Sequence, residues 1–245
     1  TPRILVAPDS LKESLDAAAA AECGNPDKGA PSAKRRAAMA NVTTPASTAL
    51  AREVAAASIV LLRNEHKALP FDSTINTIAV FGASADGPPV QSVCPPDGLA
   101  PCVLMNPKVD PYPRGVISQG GGSGGVVAPY VVTPTQGLRA RGAHAGVAVT
   151  WHNVSAADVA NGRVAALANA ADASIVVVGT VSGEGMDRKN LSLAAQDEDL
   201  IRAVGAASAR SVAAVVAPGA MLLPWAHDVD ALALMFMPGQ ELGHA

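Results

Sequence analysis

The chain alternates between short apolar runs rich in β-branched residues and longer stretches rich in alanine. Most of the short runs are apolar on both faces, which is typical of strands covered by helices on each side of a sheet. The pattern predicts five strands: Thr77–Gly82, Gly146–Trp151, Ser174–Thr180, Ser211–Ala217 and Ala231–Met237.

Three alanine-rich stretches between these runs predict helices. Thr44 followed by Pro45 is a helix start, with a capping hydroxyl and a proline at the first helical position. We expect that helix to run through Ala49–Leu62. The other two are a helix capped by Ser155 that runs through Ala170, and a helix over Asp197–Ala209 with acidic residues in its first turn. Strands that alternate with helices predict an α/β fold with a mainly parallel sheet.

Two regions interrupt this alternation. The stretch Asp86–Gly125 is rich in proline and glycine, and a loop of this length is either functional or poorly ordered. The polar stretch Cys23–Met39 is interpreted as a linker, and its basic triplet Lys34–Arg36 as solvated surface.

Composition and charge exclude several classes of protein. The 245 residues are 49% apolar and only 3% aromatic, which indicates a core of alanine and valine that needs close packing of helices on a sheet. A net charge of −3 argues against a non-specific nucleic-acid binder. No stretch approaches the roughly 20 apolar residues needed to cross a membrane, so no membrane partner is expected. The start of the sequence, Thr1–Val6, shows no signal peptide.

The cysteines and histidines give little indication of a metal or a disulfide scaffold. Three cysteines are too few for a disulfide scaffold, and they lack the paired spacing of a zinc site. Cys94 and Cys102 flank a proline-rich turn and form either a local disulfide or two free thiols. The five histidines are scattered, so we expect no bound metal.

The most informative segment is Ser174–Leu193, where an apolar strand leads into a loop with the sequence Ser-Gly-Glu-Gly. Ligand sites in open α/β sheets lie beyond the carboxyl ends of the strands. Glu184, between two glycines at such a position, is either a catalytic acid or base or part of an ordinary solvated turn. Asp187 and Arg188 either bind a polar ligand or pair with each other, and the residues alone favour the local ion pair.

The run Gly120–Gly125 is a flexible glycine loop of another kind. No Gly-Lys-Ser/Thr follows it, and it does not come after a clear strand, so it matches neither a Walker loop nor a dinucleotide-binding fingerprint. We expect no phosphate-binding role.

From about Asn41 onward the chain resembles the second domain of glycoside hydrolase family 3, the β-glucosidase and exo-glucanase group. The resemblance rests on five landmarks in family order: AREVAAASIVLLRNEHKALPF, TIAVFGASA, GGGSGGVVAPYVVTPTQGL, VVVGTVSGEGMDRKNLSL and PWAHDVDALALMFMPGQELGHA. It implies a three-layer α/β/α sandwich that packs against a preceding (β/α)8 barrel. We expect the sheet to be incomplete at its C-terminal end, because family members continue beyond Gln240–Ala245.

The resemblance also implies a reaction, the removal of a terminal β-linked glucose with retention. Retention needs two carboxyl groups about 5–5.5 Å apart, a nucleophile and an acid/base. The family's acid/base glutamate falls on Glu184, with Ser182, Asp187 and Arg188 as candidate substrate-binding residues. The family's nucleophile is an aspartate of the barrel, typically in a Ser-Asp-Trp motif that this sequence lacks. The expected partners are a β-glucoside or oligosaccharide substrate and the barrel, and no cofactor is implied.

The first residues of the chain follow a different pattern. Arg3–Leu15 resembles the opening strand and loop of bacterial glycerate kinases, which implies a substrate loop at Asp9, Ser10 and Lys12. We therefore expect residues 1–40 to be a segment apart and residues 41–245 to be the family domain. Two alternative functions stay open at this point, a glycerate kinase-like enzyme and a non-catalytic carbohydrate-binding or interaction module.

Overall fold

Six strands form one sheet in a computed structural model that describes residues 43–90, 114–121, 128–183 and 187–245. The strand order is β1-β6-β5-β4-β2-β3, and every neighbouring pair is parallel except β1 with β6. The strands are β1 (Val60–Asn64), β2 (Thr77–Phe81), β3 (Ala148–Trp151), β4 (Ala173–Gly179), β5 (Ser211–Val216) and β6 (Ala231–Met235). The predicted α/β fold with a mainly parallel sheet is therefore confirmed, as are all five predicted strands.

Helices cover both faces of the sheet. They are α1 (Pro45–Ser58), α2 (Pro134–Ala145), α3 (Ala156–Ala160), α4 (Arg163–Asn169) and α5 (Ala195–Ala207), with short 3₁₀ segments at Ala226–Asp228 and Gly239–His244. The helices α4 and α5 pack on one face, and α2 and the second 3₁₀ segment pack on the other, with α1 beside that segment. This arrangement confirms the three-layer sandwich.

The central strand β4 shows why a continuous apolar run predicts a strand here. All seven of its residues are buried. Because successive side chains point to opposite faces, Ile175 and Val177 enter the core under α2, whereas Val176 and Val178 enter the core under α4 and α5. A strand buried on both faces needs no polar alternation.

The prediction that the first helix runs to Leu62 is wrong. The helix α1 ends at Ser58, and Val60–Asn64 forms the edge strand β1, antiparallel to β6. The apolar run Ile59–Leu62 is ambiguous by itself, because short apolar runs suit a helix or a strand equally. Its pairing with Leu234 and Ala233, far along the chain, selects the strand.

The helix predicted from Ser155 to Ala170 is two helices. Ser155 caps the first as expected, with a reciprocal capping box to Asp158. The chain then turns at Gly162, which has a left-handed backbone conformation (φ 81°), and α4 follows. The predicted third helix is confirmed, although it begins and ends two residues earlier, at Ala195 and Ala207.

Helix α2 lies in a region where the sequence pattern indicated no helix. Thr133 caps it, and Gln136 completes a capping box, with Pro134 at the first helical position. Gly137 and Gly142 lower its intrinsic helix propensity. Gly137 is required by packing, because a β-carbon there would overlap the carbonyl group of Gly243 in the second 3₁₀ segment.

Two aspartates fix the register of the sheet at its amino edge. Asp172, just before β4, accepts hydrogen bonds from the amide (2.8 Å) and hydroxyl (2.9 Å) of Thr77, at the start of β2. Asp230, just before β6, does the same for Ser211 at the start of β5, with both distances 2.8 Å. Each carboxylate thus joins the start of its own strand to the start of another strand.

Several sequence-based expectations lie outside the described residues. They are the linker Cys23–Met39, the pair Cys94 and Cys102, the kinase-like segment Arg3–Leu15, and Glu184 itself. Among the helices that the structure describes, none is both long and apolar enough to cross a membrane.

Candidate functional site

The connections of the sheet define a crevice at its carboxyl edge. From β2 the chain passes through α2 to the edge strand β3, then crosses back over β2 to β4. The strand order therefore reverses between β2 and β4. In open α/β sheets this is where ligands bind, between the loops that follow the two strands.

The loop after β2 approaches β4 closely at this point. Gly82 has φ +100°, and a β-carbon there would overlap the carbonyl of Val177. The amide of Ser84 donates to the same carbonyl at 3.2 Å. Glycine is therefore needed where the β2 loop leaves the sheet across the neighbouring strand.

The loop after β4 meets the glycine loop, for which the sequence indicated no definite role. Gly121 and Gly183 form an isolated β-bridge, in which the amide of Gly121 donates to the carbonyl of Ser182 at 3.1 Å. The backbones are close enough that a β-carbon on Gly183 would lie about 3 Å from Gly121. This contact fixes the half-buried Ser182 at the crevice, two residues before Glu184.

The other predicted site residues follow in the same loop. Asp187 is exposed and Arg188 is half-buried. Within the described part of this loop, the local ion pair between them is not formed. The Nη2 atom of Arg188 instead donates to the carbonyl oxygen of Ala220, in the loop after β5, at 2.6 Å. The guanidinium reaches that loop because β4 and β5 are neighbours in the sheet.

Two depressions lie near the carboxyl edge of the described residues, a small cavity and, beside it, an open depression of about 620 Å³ between α3 and the start of α5. A cavity of about 30 Å³ lies between the loops after β2 and β3 and the start of α5, lined by Gly82, Arg114, Asn153, Ser155 and Gln196 among others. Such a volume suits about one water molecule. The described part of this edge is therefore largely an open surface.

A titratable side chain lies at the end of β3. The ring of His152 stacks on Phe81 with centroids 5.3 Å apart. Burial lowers the pKa of His152, and the positive charge of Arg163 lowers it further. Both effects favour the neutral imidazole.

A buried carboxylate, Glu241, was missed by the sequence reasoning. Its side chain is only 2% exposed. Tyr130 donates to it at 2.6 Å, and Arg52 donates through Nε at 3.2 Å and Nη2 at 2.9 Å. Burial raises the pKa of Glu241, but the hydrogen bonds from Tyr130 and Arg52 outweigh it and hold the pKa below its usual value. The carboxylate is ionised and accepts hydrogen bonds from both partners, so it has no proton to donate. Glu241 is therefore a structural group.

Metal binding finds no support in the described residues. No three side chains of histidine, cysteine, aspartate or glutamate in that part of the chain come close enough together to hold an ion.

Comparisons with known proteins agree with this architecture. Residues 59–245 match the model of the glycosyl hydrolase family 3 C-terminal domain. A probable β-glucosidase L from Emericella nidulans is 32% identical over 220 residues, covering 85% of this chain and 28% of the relative. A β-glucosidase from Pyricularia oryzae is 33% identical over 206 residues, covering 79% of this chain and 26% of the relative.

Solved structures show the same fold. A family 3 β-glucosidase from Neurospora crassa has a TM-score of 0.65 and 29% identity, covering 82% of this chain and 23% of that chain. A β-D-glucoside glucohydrolase from Trichoderma reesei has a TM-score of 0.64 and 26% identity, covering 82% of this chain and 28% of that chain.

The fold and the matched residues identify this α/β sandwich as a domain of a glycoside hydrolase. The chain belongs to glycoside hydrolase family 3, in which residues 59–245 correspond to the C-terminal domain. It spans about a quarter of the length of the curated relatives it matches, 28% of one and 26% of another. The comparisons do not support the resemblance of Arg3–Leu15 to glycerate kinases.

Proposed function

We propose that this domain supplies the acid/base half of a retaining β-glucosidase active site. In this proposal Glu184 protonates the glycosidic oxygen as the aglycone leaves, and later removes a proton from the attacking water. An aspartate on a barrel domain forms the covalent glycosyl intermediate. The substrate is a β-glucoside or oligosaccharide, from which a terminal glucose is released.

The observation that carries the proposal is the position of the Ser182–Arg188 loop. It follows the central strand β4 at the topological switch point of a family 3 C-terminal domain. Its first residues are held against Gly121, and Arg188 holds it to Ala220. The carboxyl edge is open on the described side, which suits a site that a second domain closes.

The remaining predicted site residues are assigned roles by their exposure and contacts. Asp187 is exposed on the same loop, so its carboxylate can accept hydrogen bonds from sugar hydroxyls. The hydroxyl of Ser182 can contribute a further polar contact. The Nη2 atom of Arg188 donates to the carbonyl of Ala220 and its Nη1 is buried, so Arg188 can bind a sugar only if the guanidinium becomes more accessible when the site is completed.

We further propose that the family domain begins near Asn41 and that residues 1–40 are a segment apart from it. This proposal is supported by the compactness of the chain from Pro45 to Ala245, which forms one unit. Removal of residues 1–40 should then leave the unfolding temperature of the remainder unchanged. A large drop in that temperature would show that the segment belongs to the domain.

The proposal is tested by supplying the missing half of the site. Residues 41–245 are joined to the barrel domain of a family 3 β-glucosidase, and hydrolysis of aryl β-glucosides is measured beside the barrel alone and the 245-residue chain alone. We expect turnover by the hybrid protein and none by either part, because the retaining route has no first step without its nucleophile. If the 245-residue chain alone hydrolyses the substrate and Glu184→Gln abolishes that activity, the proposed division of the site between two domains is contradicted.

A further inference from the structure

The loop between β3 and α3 contains a tripeptide that the proposed function does not use. It is Asn153-Val154-Ser155, an Asn-X-Ser sequence in which X is not proline. In the eukaryotic secretory route such a tripeptide is the acceptor for an N-linked oligosaccharide. The structure decides whether this asparagine can carry such a bulky group.

Asn153 lies at the surface, on a loop that is fixed at its start. It is exposed, whereas Val154 beside it is half-buried against the core under α4 and α5. The amide of His152 donates to the carbonyl oxygen of Val80 in β2 at 2.8 Å. The neighbouring cavity of about 30 Å³ has room for about one water molecule, so sugars attached to Asn153 would extend into solvent. A glycan here displaces no core residue.

The hydroxyl of Ser155, which the acceptor tripeptide requires, is occupied in the folded chain. It donates to the carboxylate of Asp158 at 2.7 Å and accepts from the amide of Asp158 at 3.4 Å. The amide of Ser155 donates to the same carboxylate at 2.8 Å. This capping box joins the tripeptide to the first turn of α3, so the folded loop is a poor acceptor.

The capping box depends on packing that is completed later along the chain. Helix α3 has only five residues, none of which is buried, and a helix that short is not stable by itself in water. It packs against α4 and α5, both of which follow it in the sequence. While the chain is being synthesised, the tripeptide is therefore not held in the cap until α5 has emerged.

We propose that Asn153 is an N-glycan acceptor that is modified before α3 forms. The donor is an oligosaccharide linked to a polyprenyl diphosphate. The Nδ2 atom of Asn153 bonds to the anomeric carbon of the oligosaccharide, the bond from that carbon to the diphosphate breaks, and the amide releases one proton. This modification is independent of the proposed glycosidase activity.

The first experiment asks whether Asn153 is modified. The 245-residue chain is directed through the secretory route of cultured eukaryotic cells. Asn41→Gln and Asn190→Asp remove the two other Asn-X-Ser/Thr tripeptides in every protein compared. Mass spectrometry of the peptide that contains Asn153 should show a glycan, which peptide N-glycosidase removes while converting the asparagine to aspartate. An unmodified Asn153 would overturn the inference.

Two substitutions at Ser155 separate recognition of the tripeptide from folding. Ser155→Asn keeps a good capping residue but removes the hydroxyl, so the glycan should be lost. Ser155→Thr keeps both the cap and the hydroxyl, so the glycan should remain. A glycan that persists on Asn153 in Ser155→Asn, or one that is lost in Ser155→Thr, would contradict recognition of this tripeptide.

The second experiment tests the order of modification and folding. Unmodified chain purified from bacteria is incubated with the oligosaccharide transferase and its lipid-linked donor. Asp158→Ala removes the carboxylate that holds Ser155, so we expect Asn153 to be modified roughly three- to tenfold faster than in the parent chain. The control is Asp199→Ala, which removes a surface carboxylate that pairs with Arg202 at 3.4 Å and should leave the rate unchanged.

The extent of modification in cells should be the same in the parent chain and in Asp158→Ala, because the cap has not formed at that stage. Equal rates for these two proteins after purification would show that the cap does not shield the tripeptide. A greater extent in cells for Asp158→Ala would show that the cap competes with the transfer. Either result would overturn the proposal that modification precedes the formation of α3.

Discussion

Arg52 of α1 and Glu241 of the second 3₁₀ segment form an ion pair at 2.9 Å between residues 189 positions apart in the chain. The arginine side chain is 47% exposed, whereas the glutamate side chain is 2% exposed. Tyr130 shares the same carboxylate. Three segments that are distant in sequence therefore meet at one buried charge.

We expect Glu241→Ala to lower the free energy of unfolding by about 2 kcal/mol, because Tyr130 and Arg52 lose their acceptor while Arg52 can still reach water. Glu241→Gln keeps an acceptor oxygen and should cost less, about 1 kcal/mol. Denaturant unfolding measures both values.

The control for that prediction is Glu198→Gln, which weakens a pair with Arg202 at 3.0 Å in α5, where Arg202 is 41% exposed and keeps Asp199 and Asp228 as partners. It should change stability by less than about 0.5 kcal/mol. If Glu241→Gln lowers the free energy of unfolding no more than Glu198→Gln does, burial adds nothing to the Arg52–Glu241 pair.

Stability should fall in acid as capping carboxylates are protonated. The hydroxyl and amide of Ser155, and then Arg163, lower the pKa of Asp158 from its usual 3.8 to about 2. A pKa that is lower in the folded state contributes stability above about pH 4, and that contribution is lost as the pH falls toward about 2. Asp158→Asn should therefore flatten the dependence of unfolding free energy on pH in this window.

Ser155→Ala provides an independent check, because it removes the largest cause of the lowered pKa and keeps the carboxyl group. It should flatten the same window by a smaller amount, because the backbone amide of residue 155 and Arg163 still stabilise the carboxylate. A pH profile equally steep in the parent chain and in both variants would rule out this linkage.

The edge of the sheet at β1 should promote self-association of the chain. Leu61 is 52% and Leu62 48% exposed, and no described strand pairs with the outer side of β1. Leu61→Lys places a charge on this edge and should shift the chain toward monomer in sedimentation velocity. The control is Leu222→Lys, which is similarly exposed (56%) but lies away from β1, and should leave association unchanged. A monodisperse parent chain at all concentrations would contradict this expectation.

The sheet was predictable from the sequence because its strands are buried on both faces. A continuous apolar run such as Ser174–Thr180, short and placed between helical stretches, suits a buried strand better than a helix. The edge strand β1 was not predictable, because Val60–Leu62 is exposed and becomes a strand only through pairing with β6. Helix α2 carried a detectable signal in Thr133, Pro134 and Gln136, the capping box with proline at the first helical position.

The candidate site was predictable only in part, for a related reason. The loop after β4 is marked by local sequence, a buried strand followed by Ser-Gly-Glu-Gly. Its contacts depend on residues far away in the chain, namely Gly121 and Ala220. No local pattern shows that Arg188 would choose a carbonyl after β5 over the adjacent Asp187.

The most direct measurement for the acid/base role is the leaving-group dependence of Glu184→Ala in the hybrid protein, with and without azide. We expect substrates with poor leaving groups to lose far more rate than activated aryl β-glucosides, because only the former need a donated proton. Azide should partly restore turnover of the activated substrates by attacking the glycosyl intermediate. Equal losses on both substrate types, with no effect of azide, would show that Glu184 is not the acid/base.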